Sequence, residues 1–236
     1  MTIFFDDDLG GLGVKCHATA SGTPYQSWPI TIAGWIRWND ATNRFQEPFS
    51  ISNGSTHYWL IQLDLDPGAA WVRYRVTGGG SLMDMPYNTV NLQQNTWYHV
   101  AAISDAQGSH RGYIDGANGV TDSGKPKPFT DGDRIEIGGR VNSSRYFNGM
   151  MAHWGVWDVG LTVDEVLGLA TGRISPLQMR PSSLRHYYPM GPGSLTSGNV
   201  SVKDIVGDMH ATVDAGVMYS GLEEPPLGSR IVNWRE

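Results

Sequence analysis

Apolar and polar positions alternate with a period of two along much of the chain, a pattern that predicts strands rather than helices. Over residues 97–103, Trp97, His99, Ala101 and Ile103 fall on one face and Tyr98, Val100 and Ala102 on the other. Both faces carry apolar groups, as expected of a strand covered on two sides in a layered β-fold. Asp115-Gly116, after Gly112-Tyr113-Ile114, is the dipeptide of a tight hairpin turn, and Ile135-Glu136-Ile137 reads as a further strand. Residues 31–38, rich in β-branched and aromatic side chains and closed by Asn39-Asp40, predict another. Residues 57–65 and 70–76 flank Asp66-Pro67-Gly68, the chemistry of a hairpin turn. Trp59, Ile61, Leu63 and Leu65 on the first arm and Ala70, Val72, Tyr74 and Val76 on the second make one apolar face. The opposite face carries Tyr58, Gln62, Asp64, Trp71, Arg73 and Arg75.

The remaining segments are less regular. Gly78-Gly79-Gly80 opens a stretch to residue 91 that reads as loop, and residues 123–133 form a Lys/Pro/Gly-rich loop. Residues 150–157 predict a buried strand. Thr162-x-x-Glu165 is a capping box, in which hydroxyl and carboxylate satisfy the orphan amides of a helix start. A short helix to about Ala170 follows, ended by Gly172. From Arg173 onward proline punctuates the chain at Pro176, Pro181, Pro189, Pro192, Pro225 and Pro226. This favours a division into residues 1–172, a β-sandwich, and 173–236, an extension rather than a second globular unit. Short strands at 184–188, 200–208 and 210–218 would cover an open sheet edge, of this sandwich or of a neighbouring subunit.

A chain of 236 residues with nine Trp, ten Tyr, thirty Gly and thirteen Pro has material for one large all-β core and little for long helices. A formal charge of −6, without a run of Lys or Arg, argues against nucleic acid or an anionic membrane surface as the partner. Cys16 stands alone, so packing rather than disulfides must hold the fold. The segment from Met1 to Asp8 lacks a basic start and turns acidic after Phe5, unlike a signal peptide, and no stretch approaches a membrane span.

The order of a Trp-Tyr-His-Val strand, a Tyr-Ile-Asp-Gly turn, an Ile-Gly-Gly strand and then Phe147-Asn148-Gly149 resembles the laminin-G-type concanavalin A-like jelly roll. Thr31-Ile32-Ala33-Gly34-Trp35 is similar to the family's T-I-x-x-W strand, and residues 147–158 fit its last sandwich strand. That resemblance implies an all-β jelly-roll sandwich with one short helix, in a family that binds more often than it catalyses. Ala152 and His153 stand where the family usually has acids, so no metal or polar role of those acids carries over. Laminin-G-like chains with a Ser-Pro-Leu-x-x-Arg-Pro-x-Ser-Leu connection, as over 175–184, resemble proteins found among tailed-phage virion genes.

Catalytic signatures are lacking. Laminarinase-like relatives carry Glu-x-Asp-x-x-Glu on one strand because glycoside hydrolysis needs two facing carboxylates, and none of the six Glu has an Asp two residues later. Glu136 is expected to be a solvent-facing strand acid. There is no Gly-x-Ser-x-Gly elbow, no zinc spacing among the seven His, and no phosphate-cradling loop, so no cofactor is assigned. Asp6-Asp7-Asp8, Asp64-Leu65-Asp66 and Asp131-Gly132-Asp133 are oxygen-rich clusters of the type calcium prefers, and a structural calcium is left open.

The polar hairpin face, Tyr58, Gln62, Asp64, Trp71, Arg73 and Arg75, is the candidate binding surface, because Trp, Tyr and Arg dominate anchored interfaces. The competing reading is that another layer or the extension packs over it, with Arg stems covering Trp. Arg145-Tyr146-Phe147 is a second candidate, with Phe147 at a family core position. Together these readings give a non-catalytic structural or adhesive virion component, made in the cytoplasm, on a capsid decoration or fibre-like appendage. Its partner would be a particle protein, a second copy of itself, or a surface glycan. The alternatives are a free lectin and an atypical glycoside hydrolase.

Overall fold

The computed structural model describes residues 2–5, 17–39, 44–54, 56–66, 69–78, 81–87, 91–105, 109–123, 130–140, 143–191, 201–215, 219–221 and 225. Within these, two antiparallel sheets stack face to face. Sheet A runs β10 (Ala117–Ser123), β9 (Ser109–Ile114), β8 (Tyr98–Ser104), β3 (Ile30–Trp38), β12 (Gly149–Trp157), β1 (Thr2–Phe5) and β16 (Tyr219–Gly221), with β13 (Leu184–Tyr188) also on β12. Sheet B runs β14 (Ser201–Val202), β15 (Ala211–Ala215), β2 (His17–Ser21), β11 (Arg134–Ile137), β4 (Phe45–Ser52), β5 (Tyr58–Asp66), β6 (Ala69–Gly78) and β7 (Ser81–Tyr87).

The alternation places the core as expected. Tyr98, Val100 and Ala102 of β8 face the space between the sheets with Ile32 and Ile36 of β3, and there they meet Trp59, Ile61, Leu63, Leu65 and Val72 from sheet B. Ala101 and Ile103 face the other way, into a second cluster with Trp157, Leu161, Val166, Leu169 and Tyr187. A helix supplies part of that cluster, which is why β8 is apolar on both faces. This helix, α1 (Val163–Ala170), starts with both hydrogen bonds of the Thr162/Glu165 capping box, and Gly172 follows it at φ 65°. His99, on the same outer face, is buried, and that burial, reinforced by the His153 imidazole, pushes its pKa down to about 3. Asp115 and Gly116, at φ 51° and 79°, join β9 to β10 in a turn of type I′ sign. The Asp115 carboxylate accepts from the His99 amide at 2.8 Å.

Several segments differ from the sequence reading. Residues 81–87, expected as loop, form β7, paired with β6 from Val72↔Tyr87 to Gly78↔Ser81. Pro86 breaks the strand signal, yet an edge strand has a side on which a missing amide costs no ladder bond. The strand β4 was not foreseen either, because Gln46-Glu47-Pro48 interrupts its pattern. The structure puts a register shift there, between Gln46 and Phe49. Strands β1 and β2 are further additions to the sequence reading, and among the described residues of the 200–208 segment only Ser201–Val202 pair. The hairpin loops at 67–68 and 79–80 lie outside the described residues.

Strand β12 changes neighbour midway. Gly149–Met151 pair with β1 and Trp154–Trp157 with β13, while His153 between them bulges at φ 54°. The extension strands pair within this chain: β13 on β12, β15 on β2 and β16 on β1.

Candidate functional site

Because Trp59, Ile61, Leu63 and Leu65 turn inward, Tyr58, Gln62 and Asp64 stand on the outer face of sheet B, with Arg73 and Arg75 of the next strand. The register sets Gln62 opposite Arg73 and Asp64 opposite Trp71. The arginines bond diagonally instead, within the reach of long side chains on adjacent strands. Arg73 Nε donates to Asp64 Oδ2 at 2.9 Å, and Arg75 Nη1 donates to Gln62 Oε1 at 3.1 Å. The side chain of Trp71 lies outside the described residues.

Four residues that were not read as part of this face complete it. Arg44, just before β4, donates from Nε to Asp64 Oδ1 at 2.9 Å. Glu47, at the β4 register shift, accepts from Arg140 Nε and from Arg145 Nη1, each at 3.1 Å. Arg145 Nη1 also reaches Gln62 Oε1 at 3.4 Å. The guanidinium of Arg140 lies 4.4 Å from the Tyr58 ring centroid, and those of Arg44 and Arg145 lie 5.0 and 5.2 Å from that of Phe45. Two carboxylates thus each hold two guanidiniums, and the rings support the arginine planes. The sequence signal for Glu47 was a charged residue beside Pro48 where the alternation of Phe49-Ser50-Ile51-Ser52 begins; Arg140 and Arg145 flank a turn that only the fold brings over β5.

The expected open platform is therefore an arginine layer over buried acceptors. Gln62 and Asp64, on the outer face but buried, position the arginines that lie over them. In the second candidate, Phe147 is in the core, Tyr146 packs 5.3 Å from the His17 ring, and Arg145 joins the arginine layer.

Glu136 corrects the sequence reading. It is fully buried, and the hydroxyls of Ser50 and Ser52 donate to its Oε2 at 3.0 and 2.6 Å. Strand β11 lies between β2 and β4 rather than at an edge, so an outward acid there is flanked on both sides. The Asp64 cluster proposed for calcium is likewise strand, with its carboxylate on Arg44 and Arg73. Asp131 lies 2.8 Å from His57 Nδ1 and Asp133 binds Arg134 at 2.6 Å, while Asp6 to Asp8 and Cys16 are outside the described residues. Among the described residues, no three His, Cys, Asp or Glu side chains gather as a metal site. No helix among them is long and apolar enough to cross a membrane.

Over Ala33, Ala101, Ile103, Tyr113 and Trp157 the outer face of sheet A is covered by α1 and the segment that follows it, with the Trp157 indole donating to the Met179 carbonyl at 2.8 Å. What this leaves is a jelly roll with one outer face covered in part by a helix and one outer face layered with arginines. Residues 12–167 match the laminin G model of the concanavalin A-like lectin/glucanases superfamily, and the chain belongs to that family.

Solved structures share the architecture. A putative carbohydrate binding protein from Bacteroides ovatus aligns with a TM-score of 0.68 at 19% identity, over 97% of this chain and 62% of its own. This chain thus spans less than two thirds of that protein. The heptameric SAP-like pentraxin of Limulus polyphemus aligns at 0.61 and 16% identity, over 92% of this chain and 94% of its own. The CBM40 of Ruminococcus gnavus IT-sialidase aligns at 0.52 and 16% identity, over 61% and 84%. At these identities the likeness is one of fold. No curated protein matches the chain.

Proposed function

We propose that this chain is a non-catalytic adhesive module that binds carbohydrate on the outer face of sheet B and works as a component of a tailed-phage particle. The observation that carries the binding reading is the asymmetry of the two outer faces. Sheet A buries the apolar part of its outer face under α1 and the segment after it, whereas sheet B turns guanidiniums and the half-buried Tyr58 ring outward. Membership of a lectin/glucanase superfamily and the fold likeness to a putative carbohydrate binding protein and to a sialidase's CBM40 support it. A non-catalytic role is supported by the acids of this face among the described residues. Glu47, Asp64 and Glu136 are buried beneath their donors, where a glycosidic bond does not reach a carboxyl pair.

The particle reading is supported by the 175–184 connection with its virion-like motif. A capsid or other particle protein, or a second copy of this chain, is the expected protein partner. The test has two parts. On immobilised glycans the purified chain should bind a restricted set, release no reducing ends, and lose binding on Arg73→Ala. In a purified particle, mass spectrometry should find the chain at fixed stoichiometry. A chain that binds no glycan would refute the first part, and its absence from particles the second.

A further inference from the structure

We infer that a second binding site, for an organic monocarboxylate with a short apolar body, lies on sheet A in the cleft between β9 and the start of α1. It is independent of the sheet B surface. Arg111 shares the outer face of β9 with Tyr113 and stands opposite Ile103 of β8 in register. Gly160 brings the chain over this pair on its way into the helix: a Cβ there would lie 3.7 Å from Arg111 Nη2 and 3.5 Å from Ile103 Cγ2. The cleft that results measures about 500 Å³, a size typical of small-molecule sites. Among the described residues, Tyr113, Leu161, Thr162 and Val163 line it together with Arg111 and Gly160.

The side chain that lacks an acceptor there is Arg111. It is partly buried, its Nε is closed off from solvent without a hydrogen-bond partner, and among the described residues its guanidinium makes no ion pair. In this it differs from Arg44, Arg73, Arg140 and Arg145, each of which holds a carboxylate. A partly desolvated cation without a counter-charge is costly, and a bound anion removes that cost. The two amino groups at the end of the planar fork fit both oxygens of a carboxylate. Charge matching selects a monoanion. One guanidinium balances one charge, and a dianion would leave its second charge near the exposed Asp164 in the first turn of α1. Glu165, the other acid of that turn, is already held by the Thr162 amide and Arg180. The apolar body follows from the walls: Leu161 is buried, and Val163, 46% exposed at the rim, offers apolar surface for a ligand to cover.

The experiment is a titration of the isotope-labelled chain, followed by NMR, with butyrate, its neutral isostere butyramide, glucuronate and sulfate at matched ionic strength. Butyrate should shift the amides of Gly160 to Val163 and the Arg111 side-chain N–H saturably. It should bind at least about tenfold tighter than butyramide, the effect of one charge-assisted contact. Glucuronate, with its polar body, and sulfate, a dianion, should both bind more weakly than butyrate. Arg111→Gln should weaken butyrate binding about tenfold, and Arg111→Lys less. Gly160→Val, whose branched side chain fills the space before Nη2, should weaken it with Arg111 kept. The comparison of butyrate with butyramide needs only the unaltered chain, so a variant that fails to fold leaves the test intact. Tighter binding of sulfate would overturn the choice of a monocarboxylate, and tighter binding of glucuronate the apolar body. Absence of a saturable shift at Gly160 to Val163, or equal binding of butyramide, would overturn the site itself.

Discussion

Gly34 and Trp154 show how single residues set the spacing of this fold. A Cβ on Gly34 would lie 2.6 Å from Cγ and Cε2 of the Trp154 indole, which on its other side stacks on Phe49 with ring centroids 4.8 Å apart and planes 5° apart. The indole nitrogen donates to the Trp35 carbonyl at 3.2 Å, so the ring has no free rotation with which to yield. Gly34→Ala should therefore cost about 1–3 kcal/mol by overpacking, read as a lower denaturation midpoint at unchanged m-value. The sequence marked Trp154 as buried, but the flat contact across Gly34 depends on a cross-strand register that no local pattern reports. The same holds for the arginine layer. Arg73 and Arg75 were legible from alternation, whereas Arg44, Arg140 and Arg145 reach the same face from segments 20 to 98 residues away from the acceptors they bind.

At the scale of elements, the cleanest correspondence between sequence and structure is α1. Its start is written locally: Thr162 Oγ1 accepts from the Glu165 amide at 3.3 Å, and Glu165 Oε2 accepts from the Thr162 amide at 2.9 Å. Glu165 also takes the Arg180 guanidinium at 2.6 Å, which ties the cap to the segment leading to β13. Thr162→Ala should destabilise the protein by about 1 kcal/mol, measured by thermal unfolding, with α1 exchanging its amide hydrogens faster than β8. Strands proved less legible where function or topology bends them. The β4 shift brings Glu47 to its arginines at the expense of the period-two pattern, and β7 carries Pro86 where an edge allows it. Glu136 was misread because an acid at an outward position looks solvated until the flanking strands are known.

At the scale of the whole molecule, a buried polar staple ties the segment from Asp204 to His210 to β13, the extension strand that sits in sheet A. Asp204 accepts from His186 Nδ1 at 2.8 Å and from the amides of Tyr187 at 2.9 Å and Gly207 at 3.0 Å. Its own amide donates to His210 Nδ1, and the amide of Tyr25 donates to His186 Nε2 at 3.4 Å. Burial opposes ionisation of Asp204, but the hydrogen bonds from His186 and the backbone outweigh it and hold its pKa below the ordinary aspartate value. A carboxylate depressed in the folded state contributes stability that is present above its unfolded pKa and is lost as pH falls through the folded one. Asp204→Asn should thus destabilise the protein near neutral pH by roughly 1–3 kcal/mol, read as a lower melting temperature. The gap to the unaltered chain should close below about pH 4, which a melting series from pH 2 to 7 would show.

By itself, the sequence determined what short-range physics controls. Alternation of apolar side chains chose the inward faces of β3, β5, β6 and β8, Asp115-Gly116 chose a hairpin, and Thr162 and Glu165 chose a helix start. Only the tertiary structure decided which strands are edges, that Glu136 is buried, and that arginines from two separate segments and β6 converge over Glu47 and Asp64. The reason is that backbone periodicity is a property of neighbouring residues, whereas burial and charge pairing depend on which distant strands lie side by side.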